Sequence, residues 1–410
     1  MSFKLFLRNA ANIAIRQFIV LFQRSIALPI AYALRMPQLS QRLNHWLFLK
    51  YPALHGHLLK ISQFHGPSAY KKFTPDFSII SYKDVEIYFF NPPLADKRGI
   101  GRVTREILSQ LKNISQEKAD KDTESGTPKK RVYFYSSIHW CPDELPAPSV
   151  VMIHDVTPLV LPEIFPLTVI NQWKSRFKRI AEKAEKIITI SQSSAIDIHR
   201  NLLIAESKIK VIYNGISDLR AGDGKNLRLP DREYFVFLGT YDHHKNLDVV
   251  LHALTQPDAV GFDLALIGNN LPCKRKVKEL RLERRVFFLG PLQDEDAAFV
   301  IKKATALVFP SLYEGFGLPP LEAAKLGVPS ICSARPAMDE LLVNATLFAD
   351  PHSPEDWAKA MSSISKDPVS RESIAAAAGE IAHSLNWESS SKELIRCLVE
   401  IAADSPGRQP

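Results

Sequence analysis

"PSLYEGFGLPPLEAAKLGVP", residues 310–329, is the stretch from which the fold can be read. The run before it, "ATALVFP", is short, apolar and rich in strand-forming residues, the pattern of a buried strand. Within it, "PLEAAKL" is built from good helix formers. Pro319 suits the first helical position, where a missing N–H is no loss, and Gly327 is placed to stop the helix. "VPSICS" then reads as the next strand. The stretch is one βαβ unit whose loop lies at the carboxyl end of a strand, the edge of an open α/β sheet where ligands bind. Gly315 and Gly317 let the backbone approach a ligand closely, and amides at a helix start favour anions or hydroxyl oxygens. Glu314 and Glu322 suit polyol recognition, because a carboxylate accepts hydrogen bonds from neighbouring hydroxyls. A bland alternative is that both glutamates only offset a helix dipole, and the Gly-Phe-Gly between them weighs against it.

The same strand–loop–helix pattern recurs on both sides. Upstream, "VEIYFFN" is a strand, and "PPLADKRGIGRVTREILSQL" is a loop with Gly99 and Gly101 feeding a helix. "SVVMIHDVTPLV" is a strand ending in His154-Asp155, "AEKIITISQSSAIDIHR" a strand running into a serine-capped helix, and "IKVIYNGI" closes the first domain. In the second, "EYFVFLGTYDHHKNLDVVLHAL" is a strand, a loop with Gly239, and a helix with Lys245 at its start, where an ammonium can join backbone amides in holding a diphosphate or be an ordinary solvated lysine. "DLALIGNN" and "RVFFLGPLQDEDAAFVIKKA" continue the alternation. The acidic "DED" at 294–296 has a metal-binding form, but it falls at a helix start, where the dipole and capping favour acids.

The chain has 410 residues, 46% hydrophobic and 23% charged, an ordinary globular composition long enough for two or three domains. The alternation predicts two doubly wound sheets facing one another: a domain over about 76–220, a polar linker at 218–233, a second domain over 234–385, and a last helix and tail over 386–410. The segment 115–131 reads as a polar surface loop. Residues 1–75 read as a basic helical extension, either an amphipathic surface for an anionic membrane or a helix packed on the protein itself. That extension is rich in Lys and Arg and holds no Asp or Glu, so the positive excess behind the net charge of +8 is concentrated there. No stretch reaches the roughly 18 uncharged apolar residues of a spanning helix. No zinc-finger spacing or RNA-binding aromatic signature is present, so nucleic acid is not the expected partner. The four cysteines, Cys141, Cys273, Cys332 and Cys397, are scattered, which argues against a disulfide framework or a zinc site and fits a cytoplasmic setting.

Taken in order, "GIGRVTREIL", "VVMIHDVTP", "IITISQSS", "VIYNGI", "FLGTYDHHKN", "FPSLYEGFGLPPLEAAKLGVP" and "DELLVNATLFADPHSPEDWAKAM" resemble the retaining glycosyltransferases of family four. The resemblance covers roughly residues 85–400 and implies the GT-B fold, two Rossmann-like domains facing across a cleft. It implies transfer of a sugar from a nucleotide-diphosphate donor to a hydroxyl without a metal or other cofactor. It also assigns roles. Glu322 holds the ribose hydroxyls. Glu314, with the amides of Gly315, Phe316, Gly317 and Leu318, binds the transferred sugar. Lys245 neutralises the leaving diphosphate, His154 reaches the sugar from the first domain, and Gly99, Gly101 and Gly239 lie near the diphosphate. The likeness is strongest to bacterial members that build O-antigen or capsule, several of which use GDP-mannose. Their acceptors are glycans or lipid-linked sugars, so peripheral contact at the inner membrane face is expected. One feature departs from the family: His244 stands where members often carry arginine, and Arg102 or Arg98 is the expected substitute charge. Competing readings are a sugar-nucleotide epimerase or phosphorylase on the same fold, and a nucleotide-sugar-binding subunit without catalysis.

Overall fold

The computed structural model describes residues 76–96, 99–119, 130–225 and 227–404. The expectations for the extension over 1–75, for Arg98 and for the tail beyond 404 lie outside these residues. So does the middle of the expected polar loop. Its two ends are ordered elements, because the preceding helix continues to Ala119 and a strand begins at Lys130.

The described residues form two six-stranded sheets. The first contains β1 (Phe77–Tyr82), β2 (Val85–Phe90), β3 (Lys130–Tyr135), β4 (Ser149–Met152), β5 (Lys186–Thr189) and β6 (Ile209–Val211), in sequential order. Every pairing is parallel except β1 with β2, which runs antiparallel from Phe77↔Phe90 to Tyr82↔Val85. The sequence reading starts this sheet at β2. "FSIISY" is a half-exposed edge strand whose apolar pattern is too weak to stand out, and its pairing with β2 reveals it.

The second sheet contains β7 (Tyr234–Leu238), β8 (Asp263–Ile267), β9 (Val286–Gly290), β10 (Leu307–Phe309), β11 (Ser330–Ser333) and β12 (Leu347–Ala349). Its order is β12-β11-β10-β7-β8-β9, and all pairings are parallel. These strands are buried on both faces and therefore read as continuous apolar runs, "YFVFL" and "DLALI" above all. The strand order reverses between β7 and β10, which pair directly. The loops after these two strands leave the same edge side by side, the topological switch point where open α/β sheets bind ligands.

Helices cover both faces of each sheet. The helices Gly99–Ala119 and Trp387–Asp404 pack together and cover the face of the first sheet that carries Ile87, Phe89, Val132 and Phe134. The last helix, read from the sequence within 386–410, thus packs on the first sheet. The opposite face, with Val151, Ile153 and Ile187, is covered by the helix Gln192–Leu202 and by the helical segments between Thr157 and Lys183. One continuous hydrophobic cluster runs from the first sheet into the second and includes Ile107, Leu111, Val236, Phe309, Leu321 and Leu398. No helix among the described residues is long and apolar enough to cross a membrane.

Candidate active site

The unit read first from the sequence is formed as expected, with one shift. The helix spans Leu318–Lys325, so Leu318 takes the first position, and Pro319 and Pro320 take the second and third. Those positions also lack intrahelical acceptors for their N–H groups, so two prolines fit there. Gly317 precedes them in the left-handed region, at φ 99°, and Gly327 ends the helix at φ 75°. A methyl on Gly317 would meet only the flexible end of Met338, so it is the positive φ that makes this position require glycine.

This loop faces a cleft of about 830 Å³ between the two domains, within the range of small-molecule sites. Gly99, Gly239, Lys245, His154, Glu314, Gly315, Phe316, Gly317, Leu318 and Glu322 all line it. Gly101 does not. It lies buried where the helix start crosses the preceding turn, and a methyl there would sit 1.8 Å from the Asp96 carbonyl oxygen. Its requirement for glycine therefore comes from chain packing.

Residues 245 and 314 are brought together by the switch point. Lys245 Nζ donates to Glu314 Oε1 at 2.6 Å, with each side chain a little under one-fifth exposed. The ammonium also lies 5.5 Å from the centre of the Phe309 ring, in the range of a cation–π contact. Lys245 sits in a tight turn ahead of the helix Leu247–Ala253. Asn246 holds the turn in a left-handed conformation by donating to the carbonyls of Pro310 and Pro351 at 3.1 and 2.8 Å.

At the other end of the cleft, Arg102 Nη1 donates to Glu322 Oε1 at 2.6 Å and Nη2 stands 4.0 Å from Asp294. Burial pushes the Glu322 carboxyl up, and the Arg102 guanidinium opposes that shift. Asp294 begins the helix Asp294–Lys303, but the cap residue is Gln293. The acidic triplet therefore serves the helix dipole without capping, and the capping role expected for it is withdrawn.

His154 reaches in from the end of β4. Its Nε2 lies 2.9 Å from the Ser136 carbonyl oxygen. A carbonyl only accepts, so Nε2 carries the proton and Nδ1 keeps its lone pair. Burial pulls the imidazole down from its ordinary value, which keeps the ring neutral. His244 is likewise pulled down, by burial first and by Lys245 second, so it adds no permanent charge where the family often has arginine.

Several contacts that tie the loop 313–315 and the helix Pro336–Leu342 to the first domain went unassigned in the sequence. Ser191 caps the helix Gln192–Leu202 by accepting from Ser194 N at 3.0 Å. The same hydroxyl donates to the Gly315 carbonyl at 2.6 Å, and Ser194 Oγ adds a second donor at 3.2 Å. Tyr313 donates to Asp197 at 2.8 Å. Glu340 accepts from the backbone N–H groups of Gln192 and Ser193 and from the Tyr213 hydroxyl, each at 2.8 Å. The serine-cap pattern was the one sequence signal pointing to this seam.

Comparison with known proteins agrees with this architecture. Residues 131–219 match the family described as Glycosyltransferase Family 4, and residues 222–380 match Glycosyl transferases group 1. Together the two matches run almost without a break over more than half of the chain. The O-antigen chain mannosyltransferase RfbU of Salmonella typhimurium is 28% identical over 233 residues, 54% of this chain and 62% of that protein. The O-antigen chain mannosyltransferase B of Escherichia coli is 26% identical over 262 residues, 60% of this chain and 69% of that one. The chain thus spans about two thirds of the length of these relatives. Among solved structures, sucrose-phosphate synthase from Thermosynechococcus elongatus superposes with a TM-score of 0.58 over 85% of this chain and 94% of its own, at 20% identity. WaaG, a glycosyltransferase involved in lipopolysaccharide biosynthesis, superposes with a TM-score of 0.51 over 74% of this chain and 84% of its own, at 15% identity. These likenesses show a GT-B fold.

Proposed function

We propose that this chain, which belongs to the family 4, group 1 glycosyltransferases, moves mannose from a nucleotide-diphosphate donor to a hydroxyl of a glycan or lipid-linked acceptor in cell-surface polysaccharide synthesis. The names of its relatives support the sugar and the process. The observation that carries the reaction is the Lys245–Glu314 pair at the switch point, 2.6 Å apart, opposite the neutral His154 on the facing domain.

In this reading the nucleotide lies along the cleft with its ribose at Glu322 and its diphosphate by Lys245. Breaking the bond between the anomeric carbon and phosphate leaves positive charge on the sugar ring and negative charge on the phosphate. A preorganised ammonium at the phosphate lowers that barrier without a metal. Glu314 accepts from sugar hydroxyls and orients the ring, while His154 Nδ1 accepts from another hydroxyl on the opposite side. The acceptor oxygen attacks the face that the phosphate leaves, so configuration is retained. Its proton passes to the departing phosphate oxygen, and no side-chain nucleophile takes part. Peripheral contact with the inner membrane face belongs to the same proposal, because a lipid-linked acceptor is presented there.

Thermal shift with GDP-mannose, GDP, UDP-glucose and UDP-N-acetylglucosamine, each with magnesium and with EDTA, tests the donor assignment. A ligand that binds only the folded chain raises its melting temperature by mass action. Selective stabilisation by GDP-mannose in both buffers is expected. Equal silence toward all four would overturn the proposal. Anomeric analysis of the product tests retention.

A further inference from the structure

Arg102 occupies the first turn of the helix Gly99–Ala119, on the first-domain wall of the cleft, and Glu322 stands on the opposite wall. Their ion pair is short, at 2.6 Å, and uneven in exposure: the Glu322 side chain is 5% exposed and the Arg102 side chain 25%. A carboxylate buried this deeply is costly unless donors face it, so whatever removes Arg102 must replace its hydrogen bonds. A ribose diol offers two hydroxyl donors and no charge. The guanidinium it displaces stays on a helix start whose first residues, Gly99 and Ile100, also line the cleft. That helix start favours anions, and across the cleft the residue next to Lys245 is the neutral His244 and not a second cation.

We propose that Arg102 is a donor-exchanged latch: in the empty cleft it ties the two walls together through Glu322, and when ribose hydroxyls take that carboxylate the guanidinium transfers to the donor diphosphate. This rests on the assignment of Glu322 to the ribose. It gives the chain a second permanent cation at the leaving group, supplied by the facing domain. It also ties recognition of the ribose to neutralisation of the phosphate, since the arginine is released only when Glu322 is occupied.

Calorimetric titration of the full chain with GDP, GMP and guanosine, and with UDP, UMP and uridine, tests this in wild type and in Arg102→Gln. In the variant, affinity for the diphosphate is expected to fall about tenfold or more, the worth of a charge-assisted hydrogen bond. Affinity for the nucleoside is expected to hold or rise, because the competitor for Glu322 is gone. A parallel loss for nucleoside and diphosphate would make Arg102 a structural prop and overturn the latch. An unchanged diphosphate affinity would overturn it equally. Arg102→Lys keeps the charge on a shorter stem and is expected to recover part of the diphosphate affinity, which a purely steric role would not predict. Wild-type chain that binds none of the six would sink the nucleotide reading of the cleft, a failure visible before any variant is made.

Discussion

Gly315→Ala isolates the spacing between the two walls of the cleft. The added Cβ would lie 2.8 Å from the His154 carbonyl oxygen and 2.9 Å from Asp155 Cβ, where ordinary contact begins at 3.4 Å. Gly315 is not among the glycines with positive φ, so alanine meets no backbone penalty and the whole effect comes from the clash. Relief requires the loop to withdraw by roughly half an ångström or more, judged against ordinary carbon contact distances. Withdrawal lengthens the bonds from Ser191 and Ser194 to the Gly315 carbonyl, now 2.6 and 3.2 Å. Overpacking of this kind costs about 1–3 kcal/mol. For catalysis the displacement matters more, since in the proposed reaction Glu314 and His154 hold the sugar from opposite sides, and about 1 Å of misplacement costs on the order of 100-fold. In a transfer assay kcat should fall about 10- to 100-fold, with a lowered melting temperature. An alanine variant with wild-type kcat and melting temperature would refute the close approach of the walls at this residue.

Other substitutions separate charge, titration and capping. Glu314→Gln keeps the shape of the side chain and removes its charge. Transfer should fall by about 100-fold or more, while stability moves by less than about 1 kcal/mol because the Lys245 pair is partly solvated. His154 is pulled down by burial, so its neutral form contributes stability that is complete above the ordinary imidazole range and is lost as pH falls through its lowered folded value. Urea denaturation across that range should therefore show an acid-side loss in wild type that is smaller in His154→Gln. Glu340→Ala strips acceptors from two helix-start amides and the Tyr213 hydroxyl and should cost about 2–4 kcal/mol in urea denaturation. The Tyr213 phenol, pushed up to about 12 by burial and by Glu340, should then titrate lower by ultraviolet absorbance.

What the sequence disclosed was whatever its local chemistry enforces. The apolar run of β10, the left-handed Gly317, the prolines and Gly327 each act within a few residues, so the loop and its helix could be read directly. Lys245 could be read only as a candidate phosphate cation, and its partner Glu314, sixty-nine positions away, becomes its neighbour only through the reversal of strand order at β7 and β10. Ser191 shows how a local signal conceals a second role. Its oxygen caps a helix, which sequence predicts, and its hydrogen goes to Gly315 on the other domain, which requires the fold. Glu340 falls in a stretch that resembles the family but was assigned no role, since an acid within an ordinary helical stretch reads as a solvated face until the facing helix start is seen. Arg102 was legible as a candidate phosphate charge, whereas its hold on Glu322 was not, because the two lie on different domains.

The contacts around the cleft include two chemical kinds, and the difference between them bears on mechanism. Those at the Gly315 carbonyl come from uncharged serine hydroxyls, and the loop beside them is held by Tyr313 on Asp197. A charged ligand offers these groups no better partner, so they can fix the loop while substrate comes and goes. Lys245 and Arg102, by contrast, each hold a glutamate that faces the cleft. A nucleotide-diphosphate sugar carries phosphates for the two cations and hydroxyls for the two carboxylates, so it can replace both ion pairs at once without leaving a buried charge bare. Neutral contacts would then set the geometry of the site, and the ion pairs would hold its binding groups in register until the donor exchanges with them.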